Sequence, residues 1–305
     1  MKHFISITDI EKNEFDEILT LAAKLKKLQK EGTPHKYLEG KTLGMIFAKS
    51  STRTRVSFET GMFQLGGNAL FLSSNDIQLG RGESIYDTAN VLSGMIDGIM
   101  IRTYSQDDVR DLAKYGSIPV INALTDLEHP CQAMADIQTT IEEFGTTKGL
   151  KMCYIGDGNN VAHSLAHACA MAGMDFYVAT PDKYKCDKNQ IALAKEIAKK
   201  TGANIVETVD PEEAMKGSHV VYTDTWVSMG QEAEKETKVK EFKDYKIDGK
   251  LFSLSDKKSI FMHCLPAYRG YEVESEVIDG PHSRIFQEAE NRLHAQKAIM
   301  TMLMG

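Results

Sequence analysis

Apolar runs of five or six residues alternate with longer stretches of helical spacing along most of the chain. The runs fall at 42–47, 69–73, 97–102 and 118–122, then at 150–155, 175–179, 204–208, 219–223 and 259–263. Between them, helical patterns occupy 84–95, 106–115, 130–144 and 189–200. A leading helix carries Phe15, Ile18, Leu19, Ala22, Leu25 and Leu28 on one face, and a closing one spans 284–303. Strands that alternate with helices predict βαβ units and parallel sheets. Eight or nine strands in two groups could close one barrel or form two doubly wound sheets. The long pattern at 130–144 separates two groups, and E-F-G-T-T-K-G at 143–149 follows it with turn chemistry. The expectation is therefore an α/β chain of two doubly wound parallel-sheet domains joined by two interdomain helices. The expected domains are 1–145, with a C-terminal helix at 289–305 packing back on it, and 146–288.

Composition narrows the class without changing that picture. The 305 residues suffice for two domains, and 42% hydrophobic content is ordinary for a globular protein. A net charge of −7 argues against a broad nucleic-acid surface. The basic run K-L-K-K-L-Q-K at 24–30 lies opposite the apolar face of its helix and reads as a solvated surface. No stretch has the length of a membrane span, and the first residues lack a signal-peptide core, so a cytoplasmic protein is expected. Cys131, Cys153, Cys169, Cys186 and Cys264 form no C-x-x-C pair, which suggests neither a disulfide framework nor a zinc ribbon. His163 and His167 have the spacing of a metal pair, but H-S-L-A-H lacks the glutamate of H-E-x-x-H. No metal and no cofactor are expected.

In open parallel sheets, ligands bind beyond the carboxyl ends of strands, and here those ends are unusually polar. They read S-S-T-R-T-R, I-R-T-Y, D-L-E-H-P-C-Q, G-D-G-N-N, D-T-W-V-S-M-G and H-C-L-P-A. In the first, a serine could simply cap the helix that follows. Capping does not account for Arg53 and Arg55, because cations in a first helical turn oppose the helix dipole. An anion, most naturally a phosphate, would reconcile them. G-D-G-N-N follows a strand and precedes a helix, but Val161 replaces the third glycine of a dinucleotide fingerprint. An NAD-dependent dehydrogenase is thus the alternative class. Arg102 could be an ordinary surface arginine, His129-Pro130 a helix start, Asp224 a turn residue and Cys264 a small core side chain.

Taken together and in order, S-T-R-T-R, H-P-C-Q, D-T-W-V-S-M-G and H-C-L-P closely resemble the motifs of the ornithine carbamoyltransferases, within the wider aspartate/ornithine carbamoyltransferase family. The resemblance runs essentially end to end. It implies an enzyme that moves the carbamoyl group of carbamoyl phosphate to the δ-amine of L-ornithine, giving citrulline and phosphate in arginine biosynthesis. Related enzymes take putrescine or N-acetylornithine, and S-M-G favours ornithine. By the same resemblance, Ser51, Thr52, Arg53, Thr54 and Arg102 cradle the phosphate, and His129 and Gln132 meet the carbamoyl group. Cys264, Leu265 and Arg292 complete that site, with Arg102, His129, Cys264 and Arg292 as the catalytic set. Asn160, Asp224, Ser228 and Met229 hold ornithine. Gln78 reaches a neighbouring subunit's phosphate site, which implies a homotrimer with shared active sites.

Overall fold

The computed structural model describes every residue except 228, 229 and 231 and the side chain of 232. Two units divide the chain: Met1–Gln138 with Glu290–Gly305, and Thr139–Ala289. The first contains α1 (Lys12–Lys30), β1 (Thr42–Phe47), α2 (Thr52–Gln64), β2 (Asn68–Ser73), α3 (Ile85–Ser93), β3 (Gly98–Arg102), α4 (Gln106–Tyr115) and β4 (Val120–Leu124). The chain leaves it within α5 (Pro130–Phe144). The second contains β5 (Lys151–Ile155), α6 (Asn160–Ala172), β6 (Asp175–Ala179), α7 (Lys188–Thr201), β7 (Ile205–Thr208) and α8 (Pro211–Met215). It continues through β8 (Val220–Tyr222), α9 (Lys235–Glu241), α10 (Gly249–Phe252), β9 (Ile260–Met262) and α11 (Ser275–Ile278), and the chain returns within α12 (Ile285–Met304).

Both sheets are wholly parallel, in the orders β2-β1-β3-β4 and β7-β6-β5-β8-β9. Each has its own core. Ile46, Ile99, Ile101, Val109, Leu112 and Val120 pack in the first unit, and Ile155, Val221, Trp226, Phe242, Phe261 and Val277 in the second. The lone tryptophan is structural, stacked on Phe242 with ring centroids 5.6 Å apart.

Two local departures from the sequence pattern have clear causes. The run at 118–122 becomes a strand only from Val120, because Pro119 has no N–H for the ladder and joins it only by its carbonyl, 2.9 Å from the Ile99 N–H. The strand then runs on to Leu124 across the polar Asn122, which is fully buried. Its amide donates to the Ile5 carbonyl at 2.9 Å. In G-D-G-N-N, Gly158 lies against the 184–186 backbone, where an added Cβ would stand 2.3 Å from the Cys186 nitrogen. Packing thus explains the glycine that had suggested a dinucleotide.

Most helices start on a side-chain cap. Ser51, Ser84, Ser105, Asn159, Asp187, Asp210 and Asp248 each accept a hydrogen bond from a first-turn N–H. Capping at Ser51 does not exclude an anion at the same helix end, since one side chain satisfies only part of the first turn.

Candidate active site

In the first unit, three strand ends and two helices bring cations to one place. Ser51 accepts from the Thr54 N–H at 3.2 Å and starts α2, so Arg53 and Thr54 lie in its first turn. Arg55 turns away, paired with Glu59 at 3.0 Å and laid over the Phe71 ring at 3.8 Å. Arg102, nearly buried, ends β3 beside Phe47 of β1. From α12, the buried Arg292 donates through Nη1 to Gln132 Oε1 at 2.6 Å and through Nη2 to Thr54 Oγ1 at 3.2 Å. With the Gln296 amide turned so that its oxygen faces Arg292, that oxygen accepts from Nε at 3.2 Å and Nη2 at 2.9 Å. The Gln296 nitrogen then donates to Ser57 Oγ at 2.5 Å.

His129 sits just before Pro130, the first residue of α5, and is almost wholly buried. Burial, reinforced by the guanidiniums of Arg292, Arg102 and Arg53, pushes its pKa well below the ordinary 6.5. The imidazole is therefore neutral at pH 7 and can donate one hydrogen bond without adding charge. A neutral donor, a hydroxyl, clustered guanidiniums and a helix N-terminus together suit an anion with a polar acyl group attached.

In the second unit, the ends of β5, β8 and β9 build a different site. Asp224 accepts from Asn159 Nδ2 at 2.9 Å, from the Cys264 thiol at 3.1 Å and from the Thr225 N–H at 2.7 Å. Asn159 does two jobs, since its oxygen also caps α6. Behind Cys264, the Leu265 N–H donates to His263 Nδ1 at 2.9 Å, so the ring proton is on Nε2, which meets Glu272 Oε1 at 3.2 Å. Glu288 accepts from the His263 N–H and from the Tyr222 hydroxyl, both at 2.9 Å. Leu265 is held at φ 57°, a left-handed conformation rare for a branched residue. Asp224, His263 and Cys264 place possible metal ligands within 4.8 Å of one another. Both ring nitrogens of His263 are engaged, however, so the imidazole has no lone pair to give an ion.

Two matches to known families cover almost the whole chain. Residues 2–142 match the carbamoyl-P binding domain of aspartate/ornithine carbamoyltransferase, and residues 148–303 match its Asp/Orn binding domain. The chain belongs to the aspartate/ornithine carbamoyltransferase family. An ornithine carbamoyltransferase of Caldicellulosiruptor saccharolyticus is 55% identical over 99% of this chain and 98% of its own length. The solved ornithine carbamoyltransferase of Pyrococcus furiosus has a TM-score of 0.97 and 51% identity, covering 100% of this chain and 97% of that one. An acetylornithine transcarbamylase solved with acetylcitrulline still reaches a TM-score of 0.89 at 32% identity, covering 100% of both chains.

Within this carbamoyltransferase fold, the expected residues fall into two sets. Ser51, Thr54, Gln132 and Arg292 are joined by hydrogen bonds, and Arg53, Arg102 and His129 are coupled electrostatically. Thr52 is exposed at the start of α2. In the second set Asp224 and Cys264 touch, Leu265 follows them, and Asn160 opens α6 half-buried. Ser228 and Met229 lie outside the described residues. Gln78 is exposed in a short 3-10 turn, Gln78–Arg81. His163 and His167 serve packing: the Asp187 N–H donates to His163 at 2.9 Å, and His167 meets the Gln190 carbonyl at 3.0 Å. Sequence reasoning missed Asn159, Gln296, Asp136 and the His263–Glu272–Glu288 set. Asn159, adjoining Asn160 in a strand-end motif, was the one with a usable signal.

Proposed function

We propose that the chain transfers the carbamoyl group of carbamoyl phosphate to the δ-amine of L-ornithine, releasing citrulline and phosphate. The observation that carries this is the neutral His129 among Arg53, Arg102 and Arg292, at the mouth of a capped helix. In this reading, Arg53, Ser51, Thr52 and the first N–H groups of α2 take the phosphate. Arg102, His129 and Thr54 donate to the carbonyl oxygen, on which charge grows as the tetrahedral intermediate forms. Arg292 holds Thr54 and Gln132 in place for this.

Asp224 and Asn160 take the charged α-amino end of ornithine, together with Ser228 and Met229. An aliphatic amine attacks only when neutral, and its ordinary pKa is near 10.4. Separating the nearby carboxylate from the attacking amine would ease that, yet Asp224 touches Cys264. The pair therefore has a second use: the thiol can pass the proton lost by the amine toward Asp224. The chain is read further as a cytoplasmic homotrimer serving arginine biosynthesis, with Gln78 completing a neighbour's phosphate site. All five thiols are free, which suits a reducing compartment. Edge strand β2 exposes Leu70 and Phe71, with Phe63 and Met95 also exposed, and assembly would cover such surface.

The test is citrulline formation from carbamoyl phosphate, compared across ornithine, putrescine, N-acetylornithine and aspartate. Ornithine should be the preferred acceptor. Turnover with another amine and none with ornithine would overturn the reading.

A further inference from the structure

We propose that Asp136 is a positioning residue, which holds the amide nitrogen of Gln132 so that the amide oxygen remains the acceptor for the transferred group. The proposal rests on the assignment of Gln132 to the carbamoyl site. Asp136 lies one turn after Gln132 on α5 and is fully buried. Gln132 Nε2 donates to Asp136 Oδ1 at 2.8 Å, while Gln132 Oε1 accepts from Arg292 Nη1 at 2.6 Å. A carboxylate accepts and a guanidinium only donates, so both flanks impose the same orientation on the amide.

That orientation has a chemical meaning. The carbamoyl group ends in an NH2, a donor that needs an acceptor, and a carbonyl oxygen can accept a second bond beside the one from Arg292. Rotated by half a turn, Gln132 would oppose one NH2 with another. An apolar side chain would pack this helix position without the cost of burying a carboxylate. What the carboxylate adds is a fixed polarity, two bonds away from the ligand.

Asp136 should therefore matter for carbamoyl phosphate and not for inorganic phosphate, which has no NH2. The experiment measures dissociation constants of both by calorimetry for the wild type, Asp136→Asn, Gln132→Ala and the double variant. Asparagine can turn either a donor or an acceptor toward Gln132. Asp136→Asn should weaken carbamoyl phosphate about tenfold and leave phosphate within about twofold, the scale of one hydrogen bond to a charged group. In the Gln132→Ala background the same change should alter neither ligand. Equal weakening of both ligands, or an undiminished effect without Gln132, would mean that Asp136 is merely structural and would overturn the proposal. A wild-type chain that bound carbamoyl phosphate no better than phosphate would overturn the site assignment as well. Asp136→Glu, which displaces the carboxylate by one methylene, carries the same prediction should the asparagine variant fail to fold.

Discussion

The cation cluster of the first unit and the carboxylate–thiol pair of the second both stand at the carboxyl ends of parallel strands, yet they are held differently. In the first, Arg292 alone spans Thr54, Gln132 and Gln296, tying α2, α5 and α12 together with bonds of fixed polarity. In the second, Asp224 and Cys264 follow β8 and β9, each only three residues long, and rely on a polar scaffold behind them. A phosphate has fixed charge and shape and rewards a rigid cradle. An amine that must shed a proton needs polarizable neighbours and a route for that proton. Under the proposed function, the choice of amine would be made at the second arrangement and not at the first.

The largest expected effect breaks the first site alone. Arg53→Ala should lower kcat/KM for carbamoyl phosphate by about 100- to 1,000-fold, as loss of one preorganised charged donor does. Arg53→Lys should recover little of it, because a point charge does not replace a guanidinium fork. Steady-state kinetics with each substrate varied in turn would check this, and unchanged carbamoyl phosphate constants in both variants would remove Arg53 from the cradle.

The second effect falls on the other side. Asp224→Asn should raise the KM for ornithine about 10- to 100-fold, the scale of a hydrogen bond between charged groups. Direct binding of carbamoyl phosphate should be unchanged. A matching loss there would mean that the two sites are not separable as described.

Whether the first site is complete within one chain is a sharper question. Arg53→Ala and Gln78→Ala chains, denatured and renatured together, should regain activity that neither regains alone. The experiment discriminates once each variant alone has lost at least about tenfold, roughly 1.4 kcal/mol of barrier. Co-assembled chains with no recovered activity would place Gln78 outside its neighbour's site.

The smallest effect is on stability and compares burial in the two units. Burial holds His167 of the second unit at about 4 against an ordinary 6.5. Below pH 6.5 the unfolded chain takes up a proton that the folded one refuses, so stability falls as pH drops toward 4. The full effect is on the order of 3 kcal/mol, at about 1.36 kcal/mol per pH unit over that span. Glu128 of the first unit, raised by burial to about 7 from 4.5, works in the opposite direction. Its folded form keeps a proton that the unfolded chain releases, so its contribution is present below pH 4.5 and is lost as pH rises through 7. His167→Gln should flatten the acid side of a Tm–pH curve, and an unchanged slope would show that His167 does not titrate on unfolding.

Strands and helices were legible in this sequence because their cause is local. The run at 42–47 and the spacing at 106–115 are strand and helix at those same residues, since a short continuous apolar run and helical periodicity depend only on near neighbours. The family motifs were legible for a related reason: each packs several of the expected site residues into one strand end. Arg53, His129, Asp224 and Cys264 could thus be named before any geometry was known. What the tertiary structure decided is how these groups are held and charged. The neutrality of His129 depends on burial and on guanidiniums 27, 76 and 163 positions away along the chain. The choice of Arg53 over Arg55 was made by Glu59 and the Phe71 ring. The contact between Asp224 and Cys264 joins strand ends 40 residues apart. Asp136, Gln296 and Glu288 carry no local mark, because a buried polar residue acquires its meaning only from the partner that folding brings to it.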